Sequence, residues 1–133
     1  MRDAAQRGVV VRLILPSYSD FDGVFYAGRA HYDDLLESGV KLYELESAFL
    51  HSKSIVVDGV WSSIGSTNFD WRSFVHNYEI SVCVIDEGFA QRMNQMFATD
   101  LAGSREITLA AWKDRGIMER LKELFWLPLQ YWL

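Results

Sequence analysis

The chain alternates short apolar runs with stretches in which apolar residues recur at helical spacing. Residues 3–7 read as the end of a helix closed by Gly8. No N-cap precedes them, so that element is expected to be longer than the part present. Val9–Leu15 is apolar everywhere except at Arg12 and stops at Pro16, the pattern of a strand buried on both faces of a parallel or mixed sheet. Residues 22–37 place Val24, Ala27, His31 and Leu35, with the neighbouring Tyr32, on one side of a helix that ends before Gly39. Val40–Leu45 is a short strand and completes a β-α-β order.

Two further apolar runs, Phe49–Val57 and Val60–Ile64, flank Asp58-Gly59, a strong hairpin signal. Residues 65–78 read as irregular and Glu79–Ile85 as a strand. A helix is expected over 87–101, with Phe89, Met93, Met96, Phe97 and Leu101 inward. Gly103–Ile107 reads as loop with a little extended structure. The last helix, 109–125, carries an apolar stripe of Ile117, Leu121, Leu124 and Phe125. Repeats and low-complexity tracts are absent. The order predicts one α/β layered domain over 1–133, a mixed β-sheet flanked by helices.

Composition narrows the partners. Of 133 residues, half are apolar and 23% charged, an ordinary globular balance. The net charge of -5 has the wrong sign for broad neutralisation of a nucleic acid backbone, so no nucleic acid partner is expected. The single cysteine, Cys83, lies among Ile80, Val82, Val84 and Ile85 and is expected to be a buried small hydrophobe. No apolar run is long enough to span a bilayer and the first residues lack a signal-peptide core. The chain as given therefore reads as soluble or peripheral.

The candidate chemistry sits on the hairpin. Strand alternation puts His51, Lys53, Ile55 and Val57 on one face, with imidazole and ammonium about 7 Å apart. A two-residue turn at Asp58-Gly59 sets Lys53 against Ile64 and His51 against Ser66, so Ser66 should lie beside His51. Asn68 follows in the loop beyond. An imidazole, a cation, a hydroxyl and an amide form a set able to bind and attack a phosphate. Asp58, of opposite parity, is expected to hold the turn or to pair with a remote group. Glu79 opens an apolar strand, where a carboxylate needs a partner; His51 is the expected one, with Glu79 fixing the imidazole tautomer.

A lone histidine on a strand is ordinarily just a satisfied polar residue, and Asp-Gly is ordinarily just a turn. Their joint spacing is what points to a site. His31 has no polar companion at ligand spacing, while His76 lies near enough to be a substrate contact. No His, Cys, Asp or Glu cluster has metal-ligand spacing, and Lys53 would repel a cation. Neither metal nor cofactor is expected.

The motif His51-x-Lys53-x4-Asp58-x6-Gly65-Ser66-x-Asn68, continued by Phe69-Asp70-Trp71-Arg72-Ser73-Phe74 and Asn77-x-Glu79, resembles the second catalytic half of bacterial cardiolipin synthases in the phospholipase D superfamily. The resemblance covers nearly the whole chain, from about Arg7. It implies a phospholipase D-like fold lacking its first strand here. Two such motifs, from one gene product or a homodimer, would form one metal-free site. One histidine attacks phosphorus to give a phosphohistidine and the other protonates the leaving alcohol; the resemblance favours the acid/base role for His51. Lys53 and Asn68 would hold the phosphate oxygens with support from Ser66, Glu79 would orient the imidazole, and Asp58 completes the catalytic signature.

The implied reaction joins two phosphatidylglycerol molecules into cardiolipin and releases glycerol. The implied place is the inner membrane, either peripherally on the cytoplasmic side or through an N-terminal anchor that this sequence lacks. The tail at 124–133, rich in Trp and Tyr, would meet a membrane surface or a partner half. Two other readings stand beside this one: a homodimeric phosphodiesterase or nuclease of the same superfamily, and a truncated, inactive domain that binds a partner or a membrane.

Overall fold

The computed structural model describes residues 1–68, 73 and 75–131. Phe69, Asp70, Trp71, Arg72 and Phe74 of the extended motif, and Trp132 of the tail, lie outside the described residues. The elements in order are α1 (Arg2–Gln6), β1 (Arg12–Pro16), α2 (Asp22–Arg29), α3 (Tyr32–Glu37), β2 (Lys41–Leu45), β3 (Lys53–Val57), β4 (Trp61–Gly65) and β5 (Ser81–Ile85). After them come α4 (Glu87–Ala102), β6 (Ser104–Ile107), α5 (Leu109–Lys113), α6 (Ile117–Trp126) and a 3-10 turn, Leu127–Tyr131.

Among the described residues the strands form two three-stranded sheets, β1-β2-β6 and β3-β4-β5. β1 runs parallel to β2, as the β-α-β order requires, and β6 adds antiparallel to make the first sheet mixed. The second sheet is wholly antiparallel. α4 contacts strands of both sheets. Asp86 caps α4, its carboxylate accepting from the Phe89 N–H at 2.7 Å. The core lies on the mixed sheet, where Tyr32, Val40, Leu42, Ile107 and Trp112 are buried together.

Central strand β2 also buries a carboxylate. Glu44 is 1% exposed and faces Arg105 across the β2–β6 ladder at 2.8 Å, while Arg29 approaches from α2 at 3.7 Å. Arg29 also stacks on Trp112, 5.0 Å from the ring centroid. Burial, and then the nearby Glu44 carboxylate, holds the Tyr32 hydroxyl far above its ordinary pKa, so it stays protonated.

Several sequence expectations change. β1 is an edge strand, not one buried on both faces: Val9 and Val10 are exposed and Leu13–Leu15 only half-buried. The helix expected over 22–37 breaks at Ala30-His31. There the His31 N–H donates to the Gly28 carbonyl, a three-residue step that interrupts the ladder beside a helix-weakening glycine. The helix expected over 109–125 also breaks, at Gly116, whose extended backbone (φ -56, ψ 147) opens α6. Gly103–Ile107 supplies strand β6, held by its ladder to β2. On α4, Met93 is buried but Met96 is exposed. Cys83 is exposed rather than buried, on an outer strand whose neighbours Val82 and Ile85 are exposed too.

Candidate active site

The hairpin forms where Asp58-Gly59 predicts it, with both residues left-handed (φ 51 and φ 68) and the Val60 N–H donating to the Val57 carbonyl at 3.2 Å. Its register is one residue away from expectation. Val57 pairs with Trp61, not Val60, and Lys53 pairs with Gly65, not Ile64. Val60 is drawn out of the ladder because its carbonyl accepts from the Asp86 N–H, across to the end of β5. One extra residue in the connection moves every partner by one and exchanges the faces on which partners meet. Ser66 is therefore not set opposite His51.

Ser66 instead continues the β4–β5 pairing. Its N–H donates to the Ile80 carbonyl at 3.0 Å, and its Oγ accepts from the Ile80 N–H at 3.1 Å. The same hydroxyl donates to Glu79 Oε2. Asn77 Nδ2 donates to Glu79 Oε1 at 3.4 Å, and Ser73 adds a second hydroxyl. Gly65 is glycine for a steric reason: a Cβ there would come within 2.6 Å of the Ile80 carbonyl oxygen. Hydrogen bonds from Ser66 first, then Ser73 and Asn77, with the Lys53 charge nearby, hold the Glu79 carboxyl below its ordinary range. The carboxylate is thus ionised, half-buried and already engaged.

Lys53 opens β3 and turns its ammonium back to the His51 carbonyl, 2.7 Å away. His51 precedes the strand, so strand alternation does not aim its imidazole. The ring is exposed and lies parallel to Phe49, with centroids 6.3 Å apart and 12° between planes; Phe49 in turn meets Tyr18 at 5.6 Å. Among the described residues His51 and Glu79 share no hydrogen bond. The carboxylate's partners are Ser66, Ser73 and Asn77, and the expected imidazole pairing is replaced by this cluster. Asn68 is half-buried just past β4, and Asp58 is exposed in the turn. His76 is exposed, and His31, also exposed, precedes α3.

At the open end of the hairpin the chain therefore presents an accessible imidazole, an ammonium two residues away, and a serine hydroxyl tied to a carboxylate that feels that ammonium. Such groups can accept or donate a proton while neutralising phosphate oxygens. Phe49 and Asn77 were not singled out as site residues from the sequence. Phe49 had one signal, its two-residue spacing from His51; Asn77 had only its place in the Asn77-x-Glu79 motif. Among the described residues no group of three His, Cys, Asp or Glu side chains is placed to hold a metal ion.

Comparison with known proteins agrees with these motifs. A family model described as cardiolipin synthase, PLD-like domain, matches residues 1–101. The chain is 41% identical over 123 residues to cardiolipin synthase 2 of Bacillus anthracis, covering 92% of this chain and 24% of that protein. It is 42% identical over 120 residues to cardiolipin synthase A of Proteus mirabilis, covering 90% of this chain and 25% of that protein. The chain thus spans about a quarter of the length of these curated relatives. Its fold superposes on the crystal structure of a phospholipase D family member, Nuc from Salmonella typhimurium, with a TM-score of 0.70 at 22% identity, covering 80% of this chain and 70% of that one. Matched over three quarters of its length by that family model, the chain belongs to the cardiolipin synthase, phospholipase D-like domain family.

Proposed function

We propose that this chain is one catalytic half of a phosphatidyltransferase that joins two phosphatidylglycerol molecules and releases glycerol. The observation that carries the reading is the Lys53 ammonium turned back to the His51 carbonyl at the hairpin mouth, in a chain about 40% identical to the synthase relatives over 120–123 residues. In this reading a histidine of the complementary half attacks phosphorus. His51 donates a proton to the departing glycerol oxygen, then takes one from the hydroxyl of the incoming phosphatidylglycerol as that oxygen displaces the phosphohistidine. Lys53 neutralises the phosphate oxygens in both steps, and the Asn68 amide donates a hydrogen bond to them. Glu79 fixes Ser66 and sets the local field at Lys53, in place of orienting the imidazole directly; Asp58 holds the turn.

Such a site needs a second histidine motif, from the same gene product or from a second copy. The lipid substrate places the work at the inner membrane surface, reached peripherally or through an anchor carried elsewhere in the protein. The test supplies labelled phosphatidylglycerol to the chain, alone and with a complementing first half, followed by lipid analysis. Cardiolipin should appear only with the second motif present, and His51→Ala should lower it at least about a hundredfold. Full activity in a proven monomer would overturn the proposal.

A further inference from the structure

We infer that Phe49 is a positioning residue that sets the plane of the His51 imidazole, with Tyr18 as its buttress. This rests on the acid/base role proposed for His51. A histidine in that role needs a steady ring, because proton transfer requires a nitrogen within hydrogen-bond reach of the reacting oxygen. The usual device is a carboxylate on the second nitrogen. Here Glu79 is committed to Ser66, Ser73 and Asn77, and strand alternation does not help because His51 lies ahead of β3. Lys53 holds the His51 carbonyl at 2.7 Å, which fixes the backbone and leaves the ring to turn. Among the described residues, what remains for the ring is the face of Phe49. The two planes lie 12° from parallel with centroids 6.3 Å apart, an offset aromatic pair.

Such a contact suits a proton carrier. Both imidazole nitrogens lie at the edge of the ring, so a partner on the flat face steadies it without occupying either. The contact therefore persists in the neutral and protonated forms, through which an acid that later acts as a base must pass. Phe49 is itself held, with the Tyr18 ring 5.6 Å away and 50° between planes. The supports come from different loops, Tyr18 from the β1–α2 connection and Phe49 from the one between β2 and β3. Both loops leave the same end of the mixed sheet, since β1 and β2 are parallel. The row Tyr18, Phe49, His51 thus carries the position of that sheet end to the hairpin mouth. Phe49 is 49% exposed and Tyr18 51%, so neither is a core ring whose loss would unfold the chain. A half-exposed aromatic ordinarily needs no explanation; here two of them in a row end on the histidine of the motif.

The test compares wild type with Phe49→Leu, which keeps apolar bulk without a ring, and with Phe49→Tyr, which keeps the ring. The first readout is proton NMR of the full chain alone, with the His51 ring signals identified by their loss in His51→Ala. Wild type and Phe49→Tyr should show Overhauser contacts between the rings at positions 49 and 51, and Phe49→Leu should free the imidazole to sample other orientations. The second readout is steady-state transfer from phosphatidylglycerol with a complementing half. Phe49→Leu should lower kcat roughly tenfold to a hundredfold, the cost of a misplaced reacting group, with KM within about twofold of wild type. Phe49→Tyr should restore most of kcat. Tyr18→Leu, at the buttress, should lower kcat several-fold in the same way, and gives a second reading should Phe49→Leu misfold. In the His51→Ala protein, Phe49→Leu should cost nothing further, because it acts through the imidazole. The inference fails if the wild-type rings make no contact, if Phe49→Leu keeps its kcat, or if its loss adds to that of His51→Ala. A rise in KM alone would also overturn it and mark Phe49 as a lipid contact. If the wild-type pair makes no cardiolipin, the catalytic reading falls, and the NMR contacts alone then decide whether Phe49 sets the ring.

Discussion

At the level of single residues, the proposed chemistry rests on groups whose identity was legible and whose partners were not. His51, Lys53, Ser66 and Glu79 stand out in the sequence because a histidine, a cation and a carboxylate at fixed spacing in apolar runs need a reason. The expected pairing of Ser66 with His51 hangs on the register of one turn, and that of Glu79 with His51 on a carboxylate's need for a partner, which Ser66, Ser73 and Asn77 meet instead. Lys53→Ala should lower transfer activity by about a hundredfold to a thousandfold, as loss of one preorganised charge on a reacting phosphate does; initial rates with the paired protein check it. Glu79 is depressed by its hydrogen bonds, so its contribution to stability is complete above its unfolded value and is lost as pH falls through the lower, folded one. The difference in unfolding midpoint between wild type and Glu79→Gln should therefore be constant near neutrality and shrink in acid; a constant difference down to strongly acidic pH would contradict the cluster.

Among the elements, periodicity located every strand but β6 and failed where one helix became two. The breaks fall beside contacts that periodicity does not show: Arg29, the last residue of α2, and Arg115, between α5 and α6, both stack on Trp112. That is tertiary information. The hairpin shows the same limit: Asp58-Gly59 announces a turn, but the hydrogen bond that holds Val60 out of the ladder comes from Asp86, the residue between β5 and α4. Glu44 gives a stability test at this scale. Removing it leaves Arg29, whose side chain is 16% exposed, without its counter-charge, and breaking a buried pair in this way costs about 3–5 kcal/mol. Glu44→Ala should lose stability of that order in urea unfolding.

The molecule as a whole exposes apolar surface on the β3-β4-β5 sheet as well as on α6. Ile80 is 75% exposed, Val82 61% and Ile85 77%, a concentration that marks contact surface. Purified alone, the chain should associate in a concentration-dependent way and bind a hydrophobic dye, and sedimentation measurements should show a complementing half suppressing both. That the chain is about a quarter of its relatives' length agrees with a site finished by other residues.

The most direct measurement compares wild type with His51→Ala, each paired with a complementing half, on phosphatidylglycerol and on a phosphatidyl ester of nitrophenol. Nitrophenolate departs without a proton, so an acid at His51 matters for glycerol and much less for nitrophenol. The account predicts a loss of at least about a hundredfold on phosphatidylglycerol and a far smaller one on the nitrophenyl ester. Equal activity of the two proteins on phosphatidylglycerol would contradict it.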